Sequence, residues 1–294
     1  MNKQYSFIIP HKNSPDLLNR CIQSIPKRDD IEIIIVDDNS DKNTSPQIDE
    51  KDERIKIIKI SNSKGAGHAR NVGLSKATGK WILFADCDDY YEKGFITILD
   101  KYILSNYDII YFDAYFNYNI NKHQYNHNKY PQIIETYLSC PTYYNAINLK
   151  HAFNAPWNKM YSRTFLHKIN AFFEEIPIGN DAWFVQYTGS KTNNIYAINK
   201  KLYYYTVNDK GITQSKHSKE AIFLLIKSEI KINNLKARNK AWNYIPRPYY
   251  NIKKYSKEYD FSFKLKLYIY KILHEYPYIL VFINKQISKF IHKS

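Results

Sequence analysis

A chain of 294 residues with 44% apolar and 24% charged side chains can form one large domain or two small ones, and its 28 tyrosines and 15 phenylalanines exclude a disordered polar chain. Three widely spaced cysteines, Cys21, Cys87 and Cys140, exclude a disulfide-built scaffold, and no apolar run reaches the roughly 18 residues of a membrane span. The net charge of +15 is lopsided: residues 1–199 carry 23 basic and 22 acidic side chains, residues 200–294 carry 20 and 6, so +14 belongs to the last third.

Residues 5–9 (Tyr-Ser-Phe-Ile-Ile) form a short apolar run that Pro10 is expected to close, because proline cannot donate within a central strand. Ser14-Pro15-Asp16 has the order of a helix start. Leu17, Leu18, Cys21, Ile22 and Ile25 follow at helical spacing, up to Pro26. Residues 31–36 are a β-branched run broken only by Glu32, the pattern of a strand buried on both faces, with Asp37-Asp38 at its end. An apolar run at 55–60, a turn at Gly65-Ala66-Gly67 and a helix from His68 to Ala77 come next. Trp81 to Ala85 reads as a further buried strand that ends in Asp86-Cys87-Asp88-Asp89. A helix near 92–104 and a strand near 107–112 complete the series. Residues 113–150 have poor periodicity. Residues 151–206 look mixed, with a turn at Pro156-Trp157-Asn158 and a short strand near 201–205; beyond about 217 the pattern is helical and Lys-rich.

This alternation predicts an α/β domain with a mostly parallel sheet flanked by helices. In such sheets ligands bind beyond the carboxyl ends of the strands. Pro10-His11, Asp37-Asp38 and Asp86-Cys87-Asp88 lie at three such ends and would be drawn to one crevice.

Asp86 and Asp88, at i and i+2 past a buried strand, can face one metal ion. Hard oxygen ligands suit Mg²⁺ or Mn²⁺ with positions left for substrate phosphates; the bland alternative is a solvated acidic turn. Asp37 and Asp38 suit a hydrogen-bond donor such as a ribose hydroxyl or a uracil imide, or an Asx-type turn. The segment Gly65 to Gly73 lacks the dinucleotide-binding spacing, since the third glycine would fall at Arg70. What remains is a glycine turn into a helix N-terminus, with Arg70 either beside a diphosphate or in an ordinary surface pair. Asp181, in Ile178-Gly179-Asn180-Asp181-Ala182-Trp183, can be a general base or a helix N-cap.

Taken in order, Ser6 to Asn13, Ile34 to Asp41, Gly67 to Leu74 and Gly79 to Tyr90 resemble the inverting glycosyltransferases of family 2, which have the GT-A fold. The resemblance is clear over about residues 5–112, fainter at Pro156 to Tyr161, at Asn180 to Phe184 and at Tyr205 to Thr213, and stops near 217. It implies a nucleotide-sugar donor, UDP-linked, with Mn²⁺ or Mg²⁺ as cofactor. By resemblance Pro10, His11, Asp37, Asp38, Arg70, Asp86 and Cys87 stand at the nucleotide side. Asp86 and Asp88 match the metal motif, with Asp88 the direct ligand, and Asp181 matches the catalytic base. Two positions depart from the family pattern: His11-Lys12 stands where an aromatic is usual, and Asn180 where Glu commonly precedes the Asp. Should Asp181 not serve, Glu174 and Glu175 come next, and His217 matches a position that in some members closes over the diphosphate. The implied acceptor is a glycan or lipid-linked hydroxyl in bacterial surface polysaccharide synthesis: capsule, O-antigen or lipooligosaccharide.

These readings divide the chain into a catalytic region, 1–216, with a nucleotide-binding half to about 112 and an acceptor-side half beyond, and a basic helical region, 217–294. In the latter, Phe261 to Lys271 interleaves aromatics with lysines; Tyr278 to Ile283 is apolar, and Lys285, Lys289 and Lys293 follow. Lysines beside exposed aromatics fit an anionic membrane surface; they fit equally a Lys-rich outer face of helices packed on the catalytic region. With no secretory leader at its start, the chain is expected in the cytoplasm, peripheral on the inner face of the cytoplasmic membrane. No nucleic-acid motif accompanies the charge, so no nucleic-acid partner is expected. The rival class is a catalytically silent GT-A module used for binding or membrane adaptation. A nucleotidyltransferase fits less well, because Pro10-His11-Lys12-Asn13 stands where its glycine-rich phosphate loop would be.

Overall fold

The computed structural model describes residues 2–48, 52–117, 129–206, 217–246, 252–253, 259–275 and 280. Strands β1 (Tyr5–His11), β2 (Ile31–Asp37), β3 (Ile55–Lys59) and β4 (Trp81–Phe84) pair in parallel in the order β3-β2-β1-β4. Every residue of β1, β2 and β4 is buried, as continuous apolar runs require. Side chains alternate across the sheet. Phe7, Ile9 and Ile33 meet Leu18, Cys21 and Ile22 of α1 (Pro15–Gln23) on one face. Ile8, Ile34 and Val36 meet Ala69 and Leu74 of α2 (Ala66–Lys76) on the other. A Cβ on Gly73 would stand 2.4 Å from Ile8 Cγ2, so α2 lies closer on β1 than a side chain there would permit.

Pro10 does not end the first strand; β1 runs through it to His11, between two partners. The alternation of the ladder explains this. The Ala85 amide donates to Ile8 O, and the Asp38 amide donates to His11 O. Residue 10 therefore faces the β4 side, and β4 has already ended at Phe84, opposite Ile8. The amide proton that Pro10 lacks has no partner to lose.

Beyond β4 come a two-residue strand β5 (Tyr90–Tyr91), then α3 (Phe95–Asp100), shorter than the helix expected over 92–104. Strand β6 (Ile109–Asn117) extends well past the expected end near 112. Helices α4 (Tyr130–Ser139) and α5 (Tyr143–His151) follow, then strand β7 (Lys159–Ser162) and helix α6 (Arg163–Lys168). Helix α7 (Asn180–Ser190) and the long β8 (Ile195–Thr206) complete this part. Among the described residues the eight strands run β3-β2-β1-β4-β7-β6-β8-β5. β7 is antiparallel to both β4 and β6, β8 is parallel to β6, and β5 is antiparallel to β8. The parallel character holds for the first four strands; the second half is mixed.

The basic region has two long described helices, α8 (Lys219–Arg238) and α9 (Phe261–His274). Ser218 caps α8 by accepting the Ala221 amide, and α8 packs on α7. Ile222, Ile226 and Ile230 of α8 form a separate small core with Phe263 and Leu267 of α9 and with Ile252. The Tyr278 to Ile283 run, apart from Leu280, and Lys285, Lys289 and Lys293 lie outside the described residues.

Candidate active site

The chain leaves β4 and turns over Asp86–Asp89, with the Asp89 amide donating to Asp86 O at 3.1 Å. Helix α2 brings Arg70 to this turn from below. A Cβ on Gly67 would stand 2.2 Å from Glu174 O and 3.0 Å from Asn180 Cβ, so glycine there lets α2 press against the start of α7. The buried Arg70 guanidinium then reaches both sides. Nη2 donates to Asp86 Oδ1 at 2.5 Å and Nη1 to Asn180 Oδ1 at 2.8 Å. Asn180 thus occupies itself with Arg70.

Asp181 follows in the first turn of α7, half-buried. Burial pushes its carboxyl above the ordinary range, the Arg70 charge pulls it back and Asp86 adds to the rise. Asp88 is pushed up to about 6, first by burial and then by Asp86. Cys87 between them is a thiol raised to about 12 by burial and the flanking carboxylates. Asp86, Asp88, Arg70 and Asp181 therefore share one electrostatic neighbourhood. Among the described residues no group of three or more His, Cys, Asp or Glu side chains could hold a metal ion.

The strand ends on the β1–β2 side are more enclosed. Pro10 lies opposite Val36, one pair before the end of the ladder. Both Asp37 and Asp38 are buried. Asp38 Oδ1 accepts the Lys64 amide at 2.9 Å, and Oδ2 accepts the Gly65 amide at 2.9 Å and the Ser63 hydroxyl at 2.7 Å. Asp38 organises the glycine turn and keeps one acceptor position of the roughly four on a carboxylate. His11 does not stand free at the nucleotide side. Its ring is enclosed, Nε2 accepts the Ser14 amide at 3.2 Å, and Nδ1 therefore donates to Asp37 Oδ1 at 3.0 Å. Both nitrogens are spent on the protein because the ring points inward from the strand end, and His11 braces Asp37 rather than offering a contact.

The alternative carboxylates are clamped. Glu174 accepts from Ser228 and, at 3.0 Å, from Lys231 of α8; Glu175 pairs with His68 at 2.8 Å. The His217 carbonyl accepts from the Tyr259 hydroxyl, and its Nε2 has no hydrogen-bond partner among the described residues. Most of the Tyr205 to Thr213 stretch lies outside them.

Several residues at the site were not singled out by the sequence. Arg20 of α1 donates to Asp88 O and lies over the Tyr90 ring. Asp89, fully buried, accepts from the Tyr203 hydroxyl and from the Thr206 amide at the end of β8. Lys159 is also fully buried: its ammonium donates to Ala155 O at 2.6 Å and Asn158 Oδ1 at 2.7 Å, over the Tyr111 ring. Burial pushes it down to about 7, against the pull of Asp181. The signal available for Lys159 was the segment Pro156 to Tyr161, which reads locally as a turn.

This arrangement has relatives. In structure the chain resembles Staphylococcus aureus TarS residues 1–349 in complex with UDP-GlcNAc, with a TM-score of 0.67 and 18% identity over 91% of this chain and 79% of that one. It also resembles the mannosyltransferase PcManGT of Pyrobaculum calidifontis in complex with GDP-Man and Mn²⁺, with a TM-score of 0.55 and 12% identity over 100% and 89%. These likenesses bear out the expected GT-A architecture. In sequence it is 24% identical over 225 residues to glycosyltransferase GlyA of Streptococcus pneumoniae, covering 73% of this chain and 32% of GlyA. It is 27% identical over 217 residues to the poly(ribitol-phosphate) beta-N-acetylglucosaminyltransferase TarS of S. aureus, covering 71% and 36%. The chain thus spans about a third of the length of these curated relatives. The model of glycosyl transferase family 2 matches residues 6–169, more than half of the chain, which therefore belongs to glycosyl transferase family 2.

Proposed function

We propose that this chain transfers a sugar from a nucleotide-linked donor, UDP being the carrier, to a hydroxyl of a glycan or lipid-linked acceptor, with inversion at the anomeric carbon. The observation that carries this reading is the juxtaposition around Arg70: its guanidinium joins Asp86 at the end of β4 to Asn180 at the start of α7, beside Asp181. Family membership supports the reaction class. The UDP-GlcNAc and poly(ribitol-phosphate) relatives favour an N-acetylhexosamine or hexose and a cell-surface polymer. The same reading keeps residues 1–216 as the catalytic region and 217–294 as an accessory one.

The carboxylates fit a hard divalent cation, Mn²⁺ or Mg²⁺. Burial first, and then the neighbouring Asp86 charge, let Asp88 hold its proton up to about pH 6. Asp86 already shares one oxygen with Arg70, so Asp88 is the better direct ligand. Two protein carboxylates at most suit a cation completed by substrate phosphates. Bound there, the cation would neutralise charge on the departing diphosphate.

The chain's own groups do the rest. Arg70 fixes Asp86 and adds a positive charge beside the diphosphate. Asp181, its carboxyl raised by burial toward a base of useful strength, accepts the acceptor's hydroxyl proton. The acceptor oxygen bonds to the anomeric carbon as the bond to the diphosphate oxygen breaks, and that electron pair leaves with the nucleotide. The oxocarbenium-like transition state needs no covalent enzyme intermediate. Assays of transfer and hydrolysis over UDP-, GDP- and dTDP-sugars with Mn²⁺ test this. Turnover of a UDP-sugar supports it; no turnover of any nucleotide sugar counts against it.

A further inference from the structure

Helix α9 is partly inverted in its polarity. Lys271 points inward and is buried, donating to Glu229 at 3.1 Å and Glu275 at 3.0 Å. Phe263 and Leu267 share that inner face and pack on α8. The opposite face carries Phe261, Leu265, Ile269, Ile272 and Leu273, each between 45% and 78% exposed. Their spacing of three, four and eight residues places them on one stripe of about 120°. A shallow groove of about 400 Å³ runs along this side, lined by Ser262, Leu265, Lys266, Ile269, Tyr270 and Leu273. A run of large apolar side chains left uncovered among the described residues, on a helix whose other face is already packed, marks a contact surface.

Charge decides what covers it. Lys266 and Lys227 both lie over the Phe223 ring, at 5.3 and 5.4 Å, and Lys227 lies over Tyr270 at 5.9 Å, so two ammonium groups flank the groove. The region from residue 200 onward carries +14. A second copy of the chain would bring the same charge against itself. An anionic bilayer complements it, and the apolar stripe then lies among the acyl chains with the lysines at headgroup level.

We propose that the outer face of α9 seats the protein on an anionic membrane surface, with the helix lying in the interface and not spanning it. Among the described residues no helix is long and apolar enough to cross a membrane, which fits an in-plane helix. The proposal goes beyond the transferase reading and stands whether or not that reading holds. It also assigns the two halves of the basic region different jobs: α8 packs on α7, while α9 meets lipid.

Sedimentation with vesicles tests it, using the full chain, phosphatidylcholine vesicles and vesicles with 30% phosphatidylglycerol. The full chain should bind the anionic vesicles at least tenfold more strongly. The double variant Leu265→Glu/Ile269→Glu, which alters only exposed positions, should lose binding at least tenfold while keeping its thermal unfolding temperature. Lys227→Gln/Lys266→Gln should lose about 25-fold at low salt, on the scale of about fivefold per surface lysine, and less at high salt. Equal binding to both vesicle types, or wild-type binding by the Glu variant, overturns the proposal. So does a wild-type dimer in solution that the Glu variant dissociates, since the stripe would then be a self-interface.

Discussion

The Tyr203 hydroxyl donates to Asp89 Oδ2 at 2.9 Å and accepts the Asp86 amide at 3.0 Å. One phenol on β8 thus holds both ends of the acidic turn that leaves β4. The other oxygen of Asp89 takes the Thr206 amide at 2.7 Å, and Arg20 ties the Asp88 carbonyl to α1. The turn is fixed from the sheet on one side and from α1 on the other.

Tyr203→Phe keeps the ring, which stacks on Trp157, and removes only the hydroxyl. The buried Asp89 and the Asp86 amide each lose a partner, at a cost of about 1–3 kcal/mol in stability. Calorimetric titration should show UDP affinity falling several-fold in Mn²⁺ and little changed in EDTA. An unchanged affinity in Mn²⁺ would mean the turn holds its shape without Tyr203.

Asp181→Asn should keep UDP binding and lower transfer by about two to four orders of magnitude, the scale of a general base. The amide preserves the shape of the first turn of α7 and cannot take a proton. Near-normal transfer would move the base elsewhere, and Glu174 and Glu175 are poor substitutes because α8 and His68 already hold them.

Lys159 makes stability depend on pH in a defined direction. Its ammonium loses its proton near 7 in the folded chain and near 10.4 in the unfolded one, so between these values the unfolded chain binds more protons. The stability penalty is full below about pH 7 and is relieved as pH rises. Urea unfolding should therefore show wild type gaining about 2 kcal/mol on Lys159→Met between pH 7 and pH 9. Parallel curves for the two proteins would mean that Lys159 stays charged.

The first four strands are legible because their signals are local. Uninterrupted β-branched runs mark strands buried on both faces, and the polar clusters at Asp37-Asp38 and Asp86-Asp88 mark their ends. What was hidden depends on partners far along the chain. Nothing near residue 159 says that β7 enters antiparallel between β4 and β6, and β6 runs to Asn117 through a Tyr-rich stretch without clear alternation. The position of His11 at a strand end suggests a ligand contact, but which way its ring turns is decided by Ser14 and Asp37. Asp89 could not be told from its acidic neighbours until Tyr203, 114 residues away, closed on it. Strand position alone does not say which edge the missing amide of Pro10 faces.

The proposed transferase binds its nucleotide diphosphate on a metal held by Asp88. The most direct test of this is calorimetric titration of UDP into wild type and Asp88→Ala, each with Mn²⁺ and with EDTA. Mn²⁺ should tighten UDP binding to wild type at least tenfold and leave Asp88→Ala unaffected. Equal UDP affinity in Mn²⁺ and EDTA for wild type, or an undiminished Mn²⁺ effect in Asp88→Ala, would contradict it.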